Sequence, residues 1–139
     1  MINDATTSIV DPPRFVLQQD GPPHFDADTA GEHAQRHGDL DTLTLAIGRD
    51  EAYDLALTLA QESGWRVIAR DPAAGQFEAV ATTRLLRFRD DVVVRVRGDE
   101  ASAQVDMRSR SRVGRSDFGA NAKRIDRFLT SLAAKTAQA

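Results

Sequence analysis

Arg108, Arg110, Arg112 and Arg115 recur every two or three residues, interleaved with Ser109, Ser111 and Ser116 and followed closely by Asp117, Asn121 and Arg124. Guanidinium groups at this density suit a phosphate or a carboxylate, which their planar fork grips with paired hydrogen bonds. Asp90 and Asp91 form an adjacent carboxylate pair, with Arg95 just beyond. Such a pair can act as general acid and base, hold a hard cation, or accept backbone N–H bonds in a turn. With so many arginines nearby in sequence, ion pairing is the better account of Asp90 and Asp91. A serine nucleophile would need a base. All three histidines, His24, His33 and His37, lie early in the chain, and no Ser–His–Asp arrangement stands out. His33 and His37 are four apart and would share a helix face, but they lack a third ligand, so neither a metal nor a cofactor is expected.

The elements that position these residues follow from periodicity. From Trp65 onward the chain reads as four strands: Trp65–Arg70, Gln76–Phe88, Val92–Arg97 and Ser102–Arg112. Short turns join them at Asp71–Gly75, Arg89–Asp91 and Gly98–Glu100, which implies antiparallel pairing. Side chains alternate faces along a strand. Ala103, Val105 and Met107 are therefore expected to point inward, and Gln104, Asp106, Arg108, Arg110 and Arg112 outward. Val92, Val94 and Val96 oppose Val93, Arg95 and Arg97 in the same way. If these two strands are neighbours, Arg95, Arg97, Asp106, Arg108 and Arg110 form a charged grid on one face. Ser109 and Ser111 fall in the inward row and must find hydrogen-bond partners, for which the start of the last helix is one candidate.

Two helices flank the strands. Ala52, Leu55, Ala56, Leu59 and Ala60 make an apolar stripe from about Asp50 to Ser63, with Asp50 and Glu51 in the first turn and Gly64 as a left-handed stop. Phe118, Ala122, Ile125, Phe128, Leu129 and Leu132 make a second stripe, capped by Ser116 or Asp117. Gly119 in that first turn costs about 1 kcal/mol against alanine, which implies close approach of a strand or a ligand. Trp65 reads as a core or core-edge anchor.

Residues 1–42 read as an irregular N-terminal arm. Pro12-Pro13 and Pro22-Pro23 disfavour helix, Phe15 and Phe25 are the candidates to pin the arm, and a short helix fits near Thr29–His37. Residues 43–133 form the single domain, opened by a short strand at Leu43–Ile47, and 134–139 form a frayed tail. The fold class is α+β: a four-stranded antiparallel sheet between an N-terminal and a C-terminal helix, in the order α-β-β-β-β-α.

A chain of 139 residues supports one core without staples. The absence of cysteine excludes disulfides and thiol chemistry. No apolar run is long enough to span a membrane, and the first residues lack the pattern of a signal peptide. With Met1 as the native start the chain would be cytoplasmic, whereas an excised domain would belong to the cell envelope. Residues 1–83 carry 5 basic and 14 acidic residues, while 84–127 carry 12 basic and 7 acidic ones. Either the acidic half neutralises the basic half or the basic half meets an anionic partner. Nucleic acid is disfavoured, because no aromatics interleave the arginines and the pI is about 5.6.

Phe88–Val96 resembles the F-x-D-D-V-V-I-R segment of the bacterial domain of unknown function 1499 (DUF1499) family. Arg108–Ile125 resembles that family's R-S-x-S-R-V-G-x-S-D-x-G-x-N-x-x-R-I signature. Gly64-Trp65, Glu78-Ala79 with Thr82-Thr83, and Asp11–Phe15 are also similar to it. Arg84-Leu85-Leu86-Arg87 departs from the family, standing where an aromatic–glycine pair is often seen. His37-Gly38-Asp39-Leu40 departs too, standing in place of a Tyr-Pro-Asp-Ile stretch. The resemblance implies an envelope or membrane-linked setting in many members and no known activity.

The reading that follows is a non-enzymatic binding or interaction module. An anionic small molecule or lipid headgroup would be held where the last strand meets the last helix, with Arg108, Arg112, Arg115, Ser116 and Asn121 as donors. The alternatives are a hydrolase using Asp90, Asp91 or Asp117, and a scaffold in which the arginine grid only sets register.

Overall fold

The computed structural model describes residues 3–16, 27–84, 86–112, 117 and 119–137. Their elements run β1 (Asp4–Thr6), α1 (Ala27–His37), β2 (Leu43–Leu45), α2 (Arg49–Glu62), β3 (Arg66–Asp71), β4 (Gln76–Thr82), β5 (Arg89–Gly98), β6 (Ala103–Ser111) and α3 (Ala120–Ala137). The fold is α+β, built on one antiparallel sheet of six strands rather than four. It does not open with a helix, because β1, α1 and β2 all precede α2. Strand order is β1-β6-β5-β4-β3, with β2 pairing a separate stretch of β6 beside β1. The two added strands span three residues each. β2 is the short strand expected at Leu43–Ile47, now paired to β6, whereas β1 is too short to display an alternation of side chains and has no local signature.

One face of the sheet meets α2 and α3. Phe77, Ala81, Val92, Val94, Val96, Val105 and Met107 pack there against Ala52, Tyr53, Ala56, Leu59 and Ala60 of α2 and Ile125, Phe128, Leu129 and Leu132 of α3. The inward rows expected for β5 and β6 are the ones observed. Tyr53 adds its ring edge-on to Phe77 and donates its hydroxyl proton to the Gln76 carbonyl at 3.2 Å. α3 runs on to Ala137, beyond the point where fraying was expected. Phe118, expected to begin its apolar stripe, lies outside the described residues.

Two boundaries move together. β4 ends at Thr82, which pairs with Arg89, so residues 83–88 make the connection to β5. Arg89, Asp90 and Asp91 were expected to form that connection and instead enter the ladder, with Asp90 opposite Ser111 and Asp91 opposite Arg110. Aspartate favours turns in isolation, but here each carboxylate finds an arginine inside the fold, and tertiary pairing overrides the local preference.

The other sheet face would normally be left to solvent. Instead the leader covers it: the short helix expected near Thr29–His37 is present as α1, the strand β1 was not expected, and residues 7–16 cross the sheet. Thr7 meets Asp106 on β6, the Asp11 carbonyl meets Arg95 on β5, and the Val16 amide meets Glu78 on β4. Phe15 is buried in this layer, as anticipated. Phe25 lies outside the described residues. No helix among the described residues is long and apolar enough to cross a membrane.

Candidate functional site

Strand parity divides the arginine–aspartate–serine segment between the two faces of the sheet. On the outer face, Arg108 is only 1% exposed and Asp4 5%. The guanidinium grips Asp4 with two bonds, Nε to Oδ1 at 2.9 Å and Nη2 to Oδ2 at 2.6 Å. Phe15 lies over the same guanidinium, 5.2 Å from ring centroid to Cζ. Arg95 donates to Asp106 at 3.2 Å, and Asp106 also accepts the hydroxyls of Thr7 and Thr42 at 2.7 and 2.6 Å. Arg112 holds Asp91 in a fork at 3.0 and 2.8 Å, a bond that raises its pKa. Arg110 stands 3.7 Å from Asp4 at the partly exposed edge. Asp11 reaches Arg97 at 2.9 Å, and that bond, with the charge of Arg95, holds its carboxyl below the usual range.

The expected grid therefore exists, but its counterions differ from those nearest in sequence. Asp4 and Asp11 come from the leader, about a hundred residues away. Acidic residues of the first half do neutralise arginines of the second.

On the inner face, β5, β6 and α3 converge on Asn121, which is fully buried. Ser109 donates its hydroxyl to Asn121 Oδ1 at 2.7 Å. The Asn121 amide nitrogen is within bonding distance of Ser111 Oγ at 2.9 Å, Asp117 Oδ2 at 2.7 Å and the Asn3 carbonyl at 3.2 Å. Arg124, one turn further on, donates from Nη1 to Asp90 Oδ2 at 2.7 Å and to Ser109 and Asn121 at 3.1 and 3.0 Å. The inward serines thus find a helix side chain rather than free helix amides. Asp117 takes the capping role, accepting the amides of Gly119 and Asn121 at 2.8 and 3.1 Å. Gly119 has φ +83, and a Cβ there would meet nothing within 4 Å. Its reason is the left-handed backbone leading into the helix, not the close approach expected.

Asn121→Ala is expected to cost about 2 kcal/mol, because it strands the buried Ser109 and removes the side-chain bonds that tie β6, Asn3 and Asp117 to α3. Urea unfolding would measure this, and a loss below about 0.5 kcal/mol would show that the junction repacks.

Beside the junction lies a cleft of about 910 Å³ between the C-terminal end of α2, the β4–β5 loop and the first turns of α3. Trp65 and Phe128 stack in it with centroids 5.0 Å apart. Arg84, Arg87, Lys123, Arg124 and Arg127 line it, against the single carboxylate of Asp117. Arg124 is committed to Asp90. Among the described residues, Arg84, Arg87, Lys123 and Arg127 make no ion pair.

The residues singled out from sequence are thus separated. Arg95, Arg108, Arg110, Arg112 and Asp91 belong to the outer lattice. Asp90, Asp117, Asn121 and Arg124 belong to the inner junction, and of these Asp117 and Arg124 reach the cleft. Arg115 and Ser116 lie outside the described residues. Sequence reasoning missed Arg84, Arg87, Lys123 and Arg127. The signal was present in the one- and four-residue spacing of Lys123, Arg124 and Arg127, but only packing shows which side of α3 faces the cleft. His33 is likewise tied into structure: its Nε2 accepts the Thr6 amide at 3.0 Å, and its ring meets that of His37 edge-on.

Two solved structures align with part of the chain. The di-domain ARO/CYC BexL of the BE-7585A biosynthetic pathway aligns with 67% of the chain at 17% identity and TM-score 0.48, and the alignment spans 42% of BexL. TTHA0849 from Thermus thermophilus aligns with 68% of the chain at 12% identity and TM-score 0.33, over 87% of its own length. No curated protein matches the chain significantly. The model of the family described as protein of unknown function (DUF1499) matches residues 4–132. That match takes in every element from β1 through most of α3, and the chain belongs to the DUF1499 family.

Proposed function

We propose that the protein is a non-enzymatic binding module and that its cleft takes an anionic small molecule with an apolar portion. The observation that carries this reading is the set of four cationic side chains, Arg84, Arg87, Lys123 and Arg127, that make no ion pair among the described residues and surround the stacked Trp65 and Phe128. Cations left without counterions in a concave site favour an anion, and the aromatic pair offers an apolar surface beside it. The site lies next to the strand–helix junction, but its donors are not the expected ones. Arg108, Arg112 and Asn121 already satisfy buried partners, and recruiting them would leave those partners unpaired.

The hydrolase reading draws less support. Asp90 pairs with Arg124, Asp91 with Arg112, and Asp117 caps α3. The scaffold reading accounts for the outer lattice, where every arginine faces a carboxylate, and leaves the cleft unexplained.

Trp65 is the chain's single tryptophan and stands in the cleft, so its fluorescence reports occupancy. Titration with 8-anilinonaphthalene-1-sulfonate and with laurate is expected to quench it, and inorganic phosphate should compete. Lys123→Glu with Arg127→Glu should weaken the probe roughly tenfold or more, since charge-assisted bonds are replaced by repulsion. Binding unaffected by both charge reversals, or no response to any of these anions, would sink the proposal.

A further inference from the structure

Among its described residues, the loop 83–88, with Arg89 after it, combines exposed apolar side chains with exposed guanidinium groups. Its sequence, Thr83-Arg84-Leu85-Leu86-Arg87-Phe88-Arg89, contains three arginines and no carboxylate. Leu86 is 64% exposed and Phe88 46%, and Arg84, Arg87 and Arg89 are exposed as well. Single exposed apolar residues are ordinary on a protein surface. Here two large ones stand two positions apart, bracketed by guanidinium groups, in a chain of net charge −3.

The loop is also held in shape. The Thr83 amide donates to the Phe88 carbonyl at 2.8 Å, the Phe88 amide to the Thr83 hydroxyl at 2.8 Å, and the Arg87 amide to the Thr83 carbonyl at 3.1 Å. Arg87 occupies φ +58, a conformation that arginine seldom adopts. Leu86 and Phe88 therefore stand out from a turn closed by three hydrogen bonds among its described residues, so presenting them needs little further ordering.

We infer that this loop docks the protein on an anionic lipid bilayer. Leu86 and Phe88 enter the interface between headgroups and acyl chains, while Arg84, Arg87 and Arg89 meet the lipid phosphates. Charge complementarity selects this occupant over a neutral apolar partner. Each guanidinium near an anionic surface strengthens binding roughly fivefold, and a polybasic element reinforces a weak apolar anchor in the same way. Arg84 and Arg87 also line the cleft, so a bilayer engaged by the loop lies at the cleft mouth. The inference does not rest on the cleft being occupied.

Vesicle flotation tests it, with phosphatidylcholine alone and with phosphatidylcholine containing phosphatidylglycerol. The protein is expected to float with the mixed vesicles and not with the neutral ones. Leu86→Ser with Phe88→Ser should reduce partitioning roughly tenfold through lost apolar insertion. Arg89→Gln, outside the cleft, should reduce it roughly fivefold. Both variants should keep the wild-type thermal midpoint and the wild-type Trp65 response to soluble anions, which separates this test from that of the cleft. The inference is overturned if wild type fails to float, if it floats equally with neutral vesicles, or if a folded Leu86→Ser, Phe88→Ser variant floats as well as wild type.

Discussion

Replacing Asp4 with alanine is expected to destabilise the protein by about 3–5 kcal/mol, a large share of what holds a domain of this size together. Asp4 supplies both oxygens that satisfy the Arg108 fork, and β6 keeps that guanidinium out of water beneath Phe15. Without Asp4 the guanidinium loses both bonds of that fork while remaining buried, because Arg108 is held between its ladder neighbours Thr6 and Val93. Arg110→Ala, two residues along β6 and partly solvated, should cost less than about 1 kcal/mol. Exchanging both buried partners, Asp4→Leu with Arg108→Met, should recover much of the loss, since the pair need not be more stable than apolar packing. Urea unfolding followed by Trp65 fluorescence would measure all three. An Asp4→Ala loss no larger than that of Arg110→Ala would mean that the lattice contributes little to stability.

Acidification from pH 6.5 towards 4 is expected to remove about 3 kcal/mol through His33 alone. The ring is 2% exposed, and its Nε2 accepts the Thr6 amide, so the folded state requires the neutral form. Burial, helped by the neighbouring His37 and opposed by Asp39, pushes its pKa down from 6.5 to about 4. Between these values the unfolded chain binds the proton and the folded chain does not. The contribution is present in full above pH 6.5, falls as pH drops, and is gone once pH passes below about 4. Protonation places a donor against the Thr6 donor, so separation of α1 from β1 should precede global unfolding. His33→Gln keeps an acceptor and does not titrate. The difference in stability between wild type and this variant should therefore shrink steadily from pH 6.5 to 5. Parallel curves would assign the acid sensitivity to the carboxylates instead.

Much of this organisation is visible in local pattern. The alternation of Ala103, Val105 and Met107 with Asp106, Arg108 and Arg110 placed each side chain on its observed face. The same parity directed Ser109 and Ser111 inward, where they meet Asn121. The stripe along α2 needed only the helical period, with Tyr53 buried in place of the half-buried Leu55. Asp90 and Asp91 show where local reasoning fails, because a turn preference of a few tenths of a kcal/mol cannot compete with charge-assisted bonds from Arg124 and Arg112 to carboxylates that are themselves buried.

Local pattern was enough for the strands β3 to β6, for the stripes of α2 and α3, and for the faces of Arg95, Arg97, Asp106, Arg108 and Arg110, because period and parity are properties of consecutive residues. Long-range packing set the rest: Asp4 and Asp11 neutralise Arg108 and Arg97, β1 and the short strand β2 join β6 to make six strands, and Arg84, Arg87, Lys123 and Arg127 surround one cleft. Those outcomes depend on which distant segments share space. Three-residue strands and single charges carry no periodic signal of their eventual partners until burial makes each pairing worth the entropy of closing the chain.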